Sequence, residues 1–161
     1  MLVFKFFISS LSTHRLGQNP VYKTRTMASN ALIPLVSFEK ADETVNKILQ
    51  NISSRSSSED NAVIINQNAV HGSLLQLAKL MSKWSSLSFV KIDVNSLLLQ
   101  ILSKGLWVTK HAGINPISRK VLLDILVMFL RSQRVEGKQY FIITFLLKKL
   151  IILCFKGIQG W

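Results

Sequence analysis

Apolar residues in this chain recur three and four positions apart, and the segments that carry this period lack the one-by-one alternation of strands. Such spacing makes one face of a helix apolar. Ala28, Ala31, Leu32 and Leu35 form one stripe, and Ala41, Val45, Ile48, Leu49 and Ile52 form the next. Leu74, Leu77, Ala78, Met81 and Trp84 follow, then Leu98, Leu99, Ile101 and Leu102, then Leu122, Ile125, Leu126 and Phe129. Phe4, Phe7, Ile8 and Leu11 predict a further helix at the start. An amphipathic helix must bury its stripe against others, so the expected fold is all-α.

Start and stop signals punctuate these stripes. Asn19-Pro20 and Asn115-Pro116 each predict a helix start, with Asn accepting a first-turn N–H and Pro at the first helical position. The two pairs lie 96 positions apart and are followed by Val21 and Ile117, then by Arg25 and Lys120. Two HEAT-type repeats of about 40–47 residues plus an insertion cover that spacing. Pro34 should kink or end its helix, Ser37 should cap the next with Glu39 at its positive end, and Asp93 should cap a fifth that stops at Gly105. Residues 53–61, a run of Ser with Arg, Glu, Asp and Asn, cannot build a core and read as an exposed loop. The expected architecture is a HEAT- or armadillo-like α-solenoid segment of roughly three helical hairpins over 1–136. Residues 137–161 follow as an apolar C-terminal helix or non-native tail. Lys148 and Lys149 interrupt Tyr140–Phe155, which favours a buried or interfacial helix over a membrane span. The apolar stretch Met1–Leu11 has its Lys5 inside rather than ahead, unlike a secretory leader.

Chemistry is narrowed mainly by what is missing. No glycine loop for a phosphate or dinucleotide occurs, and no nucleophile elbow. His14, His71 and His111 lack metal-ligand spacing, and Cys154 is the sole cysteine, so neither a structural zinc site nor an intrachain disulfide can form. Acidic residues are too sparse to suggest a catalytic carboxylate pair. The reading is a protein that is not an enzyme and takes no cofactor, metal or small-molecule substrate. Against eight Asp and Glu stand twenty Lys and Arg, a formal charge of +12, which suits an acidic partner. His71, just before Gly72 at the head of a helix, reads first as a capping or packing residue and second as a binding one. The Lys79–Lys83 face and the Lys110-His111 pair read first as solvated surface, second as RNA contacts.

Three stretches together resemble the thyroid adenoma-associated protein (THADA) family. The first is Tyr22 to Val36, with Lys23, Arg25, Ala28, Ala31-Leu32-Ile33-Pro34-Leu35-Val36. The second is Asn66 to Gln76, with Gln67-Asn68, His71-Gly72 and Leu74-Leu75-Gln76. The third runs from Leu106-Trp107-Val108 through Asn115-Pro116-Ile117-Ser118-Arg119 to Leu122-Leu123-Asp124-Ile125-Leu126. The resemblance covers residues 20–131 and implies an α-solenoid that acts as the non-catalytic partner of a tRNA 2′-O-ribose methyltransferase working on the anticodon loop. It implies that the enzyme brings the S-adenosylmethionine site while the solenoid, in the cytoplasm, positions enzyme or tRNA. Charge and motif position make Lys23, Arg25, Asn68, His71, Lys110, His111 and Arg119 the candidate RNA- or partner-binding residues. The alternatives are a protein-only interaction solenoid, or a small membrane-associated protein held by Tyr140–Phe155.

Overall fold

The computed structural model describes residues 12–53, 66–85, 94–110 and 114–135. The expected helix over 4–11, most of the Ser-rich loop, the Asp93 cap, His111 and the tail from 137 lie outside these. Helix α1 spans Tyr22–Leu35, a 3-10 turn covers Phe38–Lys40, and α2 spans Ala41–Ser53. Helix α3 is Gln67–Ser85, α4 is Val94–Gly105, α5 is the single turn Trp107–Lys110, and α6 is Pro116–Val135. A short helical stretch, 12–16, precedes α1. The described residues hold helices and no strand.

α3 is the centre of the fold. It packs against α1 on one side and α6 on the other, while α2 and α4 form a second layer across α3 and α6. Its Ala69, Val70, Leu74, Leu77 and Leu80 are all buried, a wider apolar surface than the one stripe its period predicts. A helix flanked by three others has few positions left for water. The stripes of α2 and α6 are buried as their spacing predicts. Ala31 and Leu99 are exposed instead, because α1 buries Arg25, Ala28, Ser29 and Leu32, and α4 buries Leu97, Leu98 and Ile101. At both places the buried stripe is displaced by part of a turn from the expected one.

The two Asn-Pro signals open their helices differently. At α6, Pro116 is the first helical residue, Asn115 Oδ1 accepts the Ile117 N–H at 2.9 Å, and the Asn115 carbonyl starts the helical ladder with Ser118 and Arg119. At α1, Asn19 Oδ1 likewise accepts the Val21 N–H at 2.9 Å, but the helix begins only at Tyr22. The reason is Arg25. Its Nη1 donates to the Asn19 and Pro20 carbonyls, at 2.7 and 2.8 Å, the two acceptors that would otherwise have begun the ladder. Six residues after Asn115 stands Val121, which cannot compete for them.

α1 and α3 run parallel and are tied at both ends. Near the start Arg25 reaches Asn68 and His71; at the end Lys83 Nζ donates to the Ile33 carbonyl at 3.0 Å. Lys83 is therefore a C-terminal cap for α1 rather than the solvated lysine its sequence suggests. Pro34 sits one residue before the last of α1, so the helix ends just after the residue that cannot donate to its ladder, as the sequence predicts.

The stretch before α1 crosses α3 where both are glycine. A Cβ placed on Gly72 would sit 1.7 Å from the Gly17 carbonyl oxygen, and one on Gly17 would sit 2.7 Å from Gln76 Nε2. Gln76 Nε2 donates to the Thr13 carbonyl at 3.1 Å, one turn along α3. Gly72→Ala must push the 12–19 stretch off α3, so it should lower the unfolding free energy by about 2–3 kcal/mol. Gly105→Ala, whose Cβ would meet Leu122 at an ordinary 3.7 Å, should change it by less than about 0.5 kcal/mol. Urea titration of both variants by circular dichroism checks the contrast.

Candidate functional site

The motif residues of α3 converge on the first turn of α1. Asn66, just ahead of α3, caps it, its Oδ1 accepting the Ala69 N–H at 3.1 Å. Gln67 Oε1 accepts the Asn115 N–H at 3.0 Å, which fixes the start of α6 beside that of α3. Asn68 Oδ1 accepts from Arg25 Nη1 at 2.9 Å, and His71 Nδ1 accepts from Arg25 Nε at 3.1 Å. Tyr22 lies against both, its ring centroid 5.6 Å from that of His71 and 5.8 Å from the guanidinium carbon of Arg25.

Arg25 is 8% exposed and His71 is 3% exposed, so the pair belongs to the interior. Burial draws Arg25 below its ordinary value, with the neighbouring Tyr22 acting the other way, but a guanidinium stays charged throughout the physiological range. Burial is also the main cause that lowers the pKa of His71, and the adjacent Arg25 charge adds to it. A neutral ring that accepts through Nδ1 carries its proton on Nε2. That Nε2 is buried and has no hydrogen-bond partner among the described residues. No acidic side chain pairs with Arg25 among the described residues; three oxygens and one imidazole nitrogen serve instead.

Of the seven candidate binding residues, the fold thus brings together Arg25, Asn68 and His71, as an internal clamp. Lys23 is exposed on α1, and Arg119 is half-buried in the first turn of α6. The side chain of Lys110 and all of His111 lie outside the described residues. Sequence reasoning misses Gln67 and Gln76 as tethers and Tyr22 as the lid on the clamp. The signal is present in part: Gln67, Asn68, His71 and Gln76 interrupt the apolar residues in the first half of the helix, and buried polar side chains there need partners. Among the described residues no group of His, Cys, Asp or Glu could hold a metal ion, and no helix is long and apolar enough to cross a membrane.

Parallel helices stacked side by side over a second layer, joined by polar tethers between successive helix starts, define a helical-repeat protein. The family described as "Trm732, C-terminal TPR repeats" matches residues 5–80. The chain is 31% identical over 134 residues to the tRNA (32-2′-O)-methyltransferase regulator THADA of Gallus gallus, a match covering 78% of this chain and 7% of the relative. The same-named proteins of Chlorocebus aethiops and Homo sapiens match at 30% and 29%, each over 71% of this chain and 6% of the relative. The chain belongs to the THADA family, and it spans well under a tenth of the length of the curated relatives it matches. No solved structure matches it. The family description speaks of TPR repeats where the sequence suggested HEAT or armadillo ones. The helical-hairpin array is common to all three.

Two measurements test the clamp. Arg25→Ala removes four hydrogen bonds and leaves buried acceptors unmatched, so unfolding free energy should fall by about 3 kcal/mol in urea titration. Arg25→Lys should recover only part, because an ammonium cannot reach the imidazole and the oxygens in one plane. His71 binds its proton less readily when folded than when unfolded, so stability is full above its ordinary value of 6.5 and declines as pH falls from there toward the lower folded value. His71→Gln should flatten that part of the pH–stability curve.

Proposed function

We propose that this chain supplies a non-catalytic scaffold segment to a regulator of tRNA 2′-O-ribose methylation at the anticodon loop. The observation that carries this reading is the match to relatives named as tRNA (32-2′-O)-methyltransferase regulators, which extends over 134 residues rather than one motif. The clamp supports it: a repeat whose successive helices are fastened by a buried arginine holds its outer surfaces at fixed spacing. The methyltransferase partner brings the S-adenosylmethionine site, and the solenoid holds enzyme or tRNA in the cytoplasm. Lys23, Arg119, Lys110 and His111 are the proposed RNA- or enzyme-facing residues, whereas Arg25, Asn68 and His71 hold α1 against α3.

Capture of a tRNA 2′-O-methyltransferase by this chain, with and without tRNA and across a salt series, tests the proposal. Enzyme should be retained, and retention should rise with tRNA. Lys23→Glu with Lys110→Glu should weaken the tRNA-dependent part and reduce its salt slope by about one for each of the two lysines that meets a phosphate, leaving the tRNA-independent part unchanged. A folded chain that retains no enzyme under any of these conditions would overturn the scaffold reading.

A further inference from the structure

Two helices of this fold open on the same Asn-Pro signal, and only one of them uses it fully. At α6 the Asn115 Oδ1 accepts the Ile117 N–H while the Asn115 carbonyl accepts from Ser118 and Arg119. The side-chain turn and the helical ladder therefore coexist there. At α1 the turn is present, with the Val21 N–H on Asn19 Oδ1 at 2.9 Å. The ladder starts late: its first backbone bond runs from the Arg25 N–H to the Val21 carbonyl at 3.2 Å. Val21 has φ −76°, already close to helical, but ψ 120°, which is extended. Pro20 suits a first helical position, as Pro116 does in α6. A change centred on the Val21 ψ separates the observed start from one two residues longer.

What bars the longer start is a side chain. Arg25 Nη1 occupies the Asn19 and Pro20 carbonyls, and α3 holds that guanidinium in place through Asn68 and His71. The bond to His71 carries a condition. Nδ1 accepts from Arg25 Nε, at 3.1 Å, only while it has no proton of its own; in an imidazolium both ring nitrogens are donors. A proton on Nδ1 sets donor against donor and positive charge against positive charge, in an interior where His71 is 3% exposed.

No neighbouring element offers a countercharge. On α1 the other groups are Tyr22, 5.6 Å away ring to ring, and the exposed Lys23. The 12–19 stretch brings His14 and Arg15, and α3 itself carries Lys79 and Lys83 further along. On α2, Asp42 and Glu43 are exposed, and Glu43 bonds Lys47. On α6, Arg119 is half-buried, and the exposed Asp124 bonds Lys120. Arg25 is the one charge that acts on the imidazole, and it opposes the proton.

We propose that the Arg25–His71 contact is a switch between two starts of α1: with His71 neutral the helix begins at Tyr22, and a proton on Nδ1 frees Arg25 from the Asn19 and Pro20 carbonyls so that α1 begins at Pro20. The Lys23 and Thr24 N–H groups then take the carbonyls that Arg25 gives up, four positions back in each case. Val21, exposed at the mouth of α1, passes from extended to helical backbone, so the surface there changes with the proton. The device rests on the clamp geometry and not on the scaffold reading.

An NMR titration of the whole chain from about pH 7.5 to about pH 5.5 provides the test. The closed start binds the proton less readily than the open one, so opening is favoured as pH falls below His71's ordinary value of 6.5. The ratio of long to short start should rise by up to about tenfold per pH unit there. Cα shifts of Pro20 and Val21 should move toward helical values in step with the His71 ring resonances, and the Lys23 and Thr24 amides should gain protection from exchange. His71→Gln should hold the short start throughout, and His14→Gln should leave the transition in place. Arg25→Met, which cannot occupy the carbonyls, should show the long start at every pH. The proposal is overturned if His71 takes up its proton while the Pro20 and Val21 shifts stay where they were. It is equally overturned if the chain unfolds as a whole before His71 is protonated, or if Arg25→Met folds and keeps the short start.

Discussion

A guanidinium taken out of water must find acceptors, and Arg25 finds four of them on two pieces of chain other than its own helix. Two are carbonyls of the turn before α1, and two are side chains one turn apart on α3. Satisfying one buried charge therefore places the 12–19 stretch, α1 and α3 relative to one another. The other tethers of α3 extend the same order: Gln76 to Thr13 on one side, Gln67 to Asn115 on the other. Apolar burial provides the driving force for this stack, but it is non-directional. The polar contacts choose the register in which the stripes meet.

This division explains why the starts of the helices line up at one edge. α3 is buried along most of its length, yet its first turns carry Gln67, Asn68 and His71, all aimed at neighbours. A helix with polar tethers at its head and apolar residues along its body can slide neither way without stranding a hydrogen bond. The cost of a one-turn slip is thus concentrated at the head.

The all-α architecture is legible because the apolar period is strong in α2, α3 and α6, and because Asn115-Pro116 begins its helix through the local Asn115 cap. The start of α1 departs from its Asn-Pro signal by two residues for a non-local reason: the competitor for its first carbonyls is a side chain whose own position depends on α3. Ala31 and Leu99 fall outside the core because periodicity gives a stripe's spacing but not which side of a helix its neighbours occupy. The candidate site is legible as a set of residue types and not as an arrangement. Arg25, Asn68 and His71 stand out in the sequence, but only the fold shows that they meet each other, 43 and 46 positions apart along the chain.

α1 and α3 are fastened near both ends, by Arg25 at the start and by Lys83 on the Ile33 carbonyl at the finish. In mechanical terms the pair is a bar bolted twice, which resists shear and twist far better than two rods greased along their length. Neither helix can then turn or shift against the other without breaking a contact at one end, so the spacing between their starts also sets the spacing between their finishes.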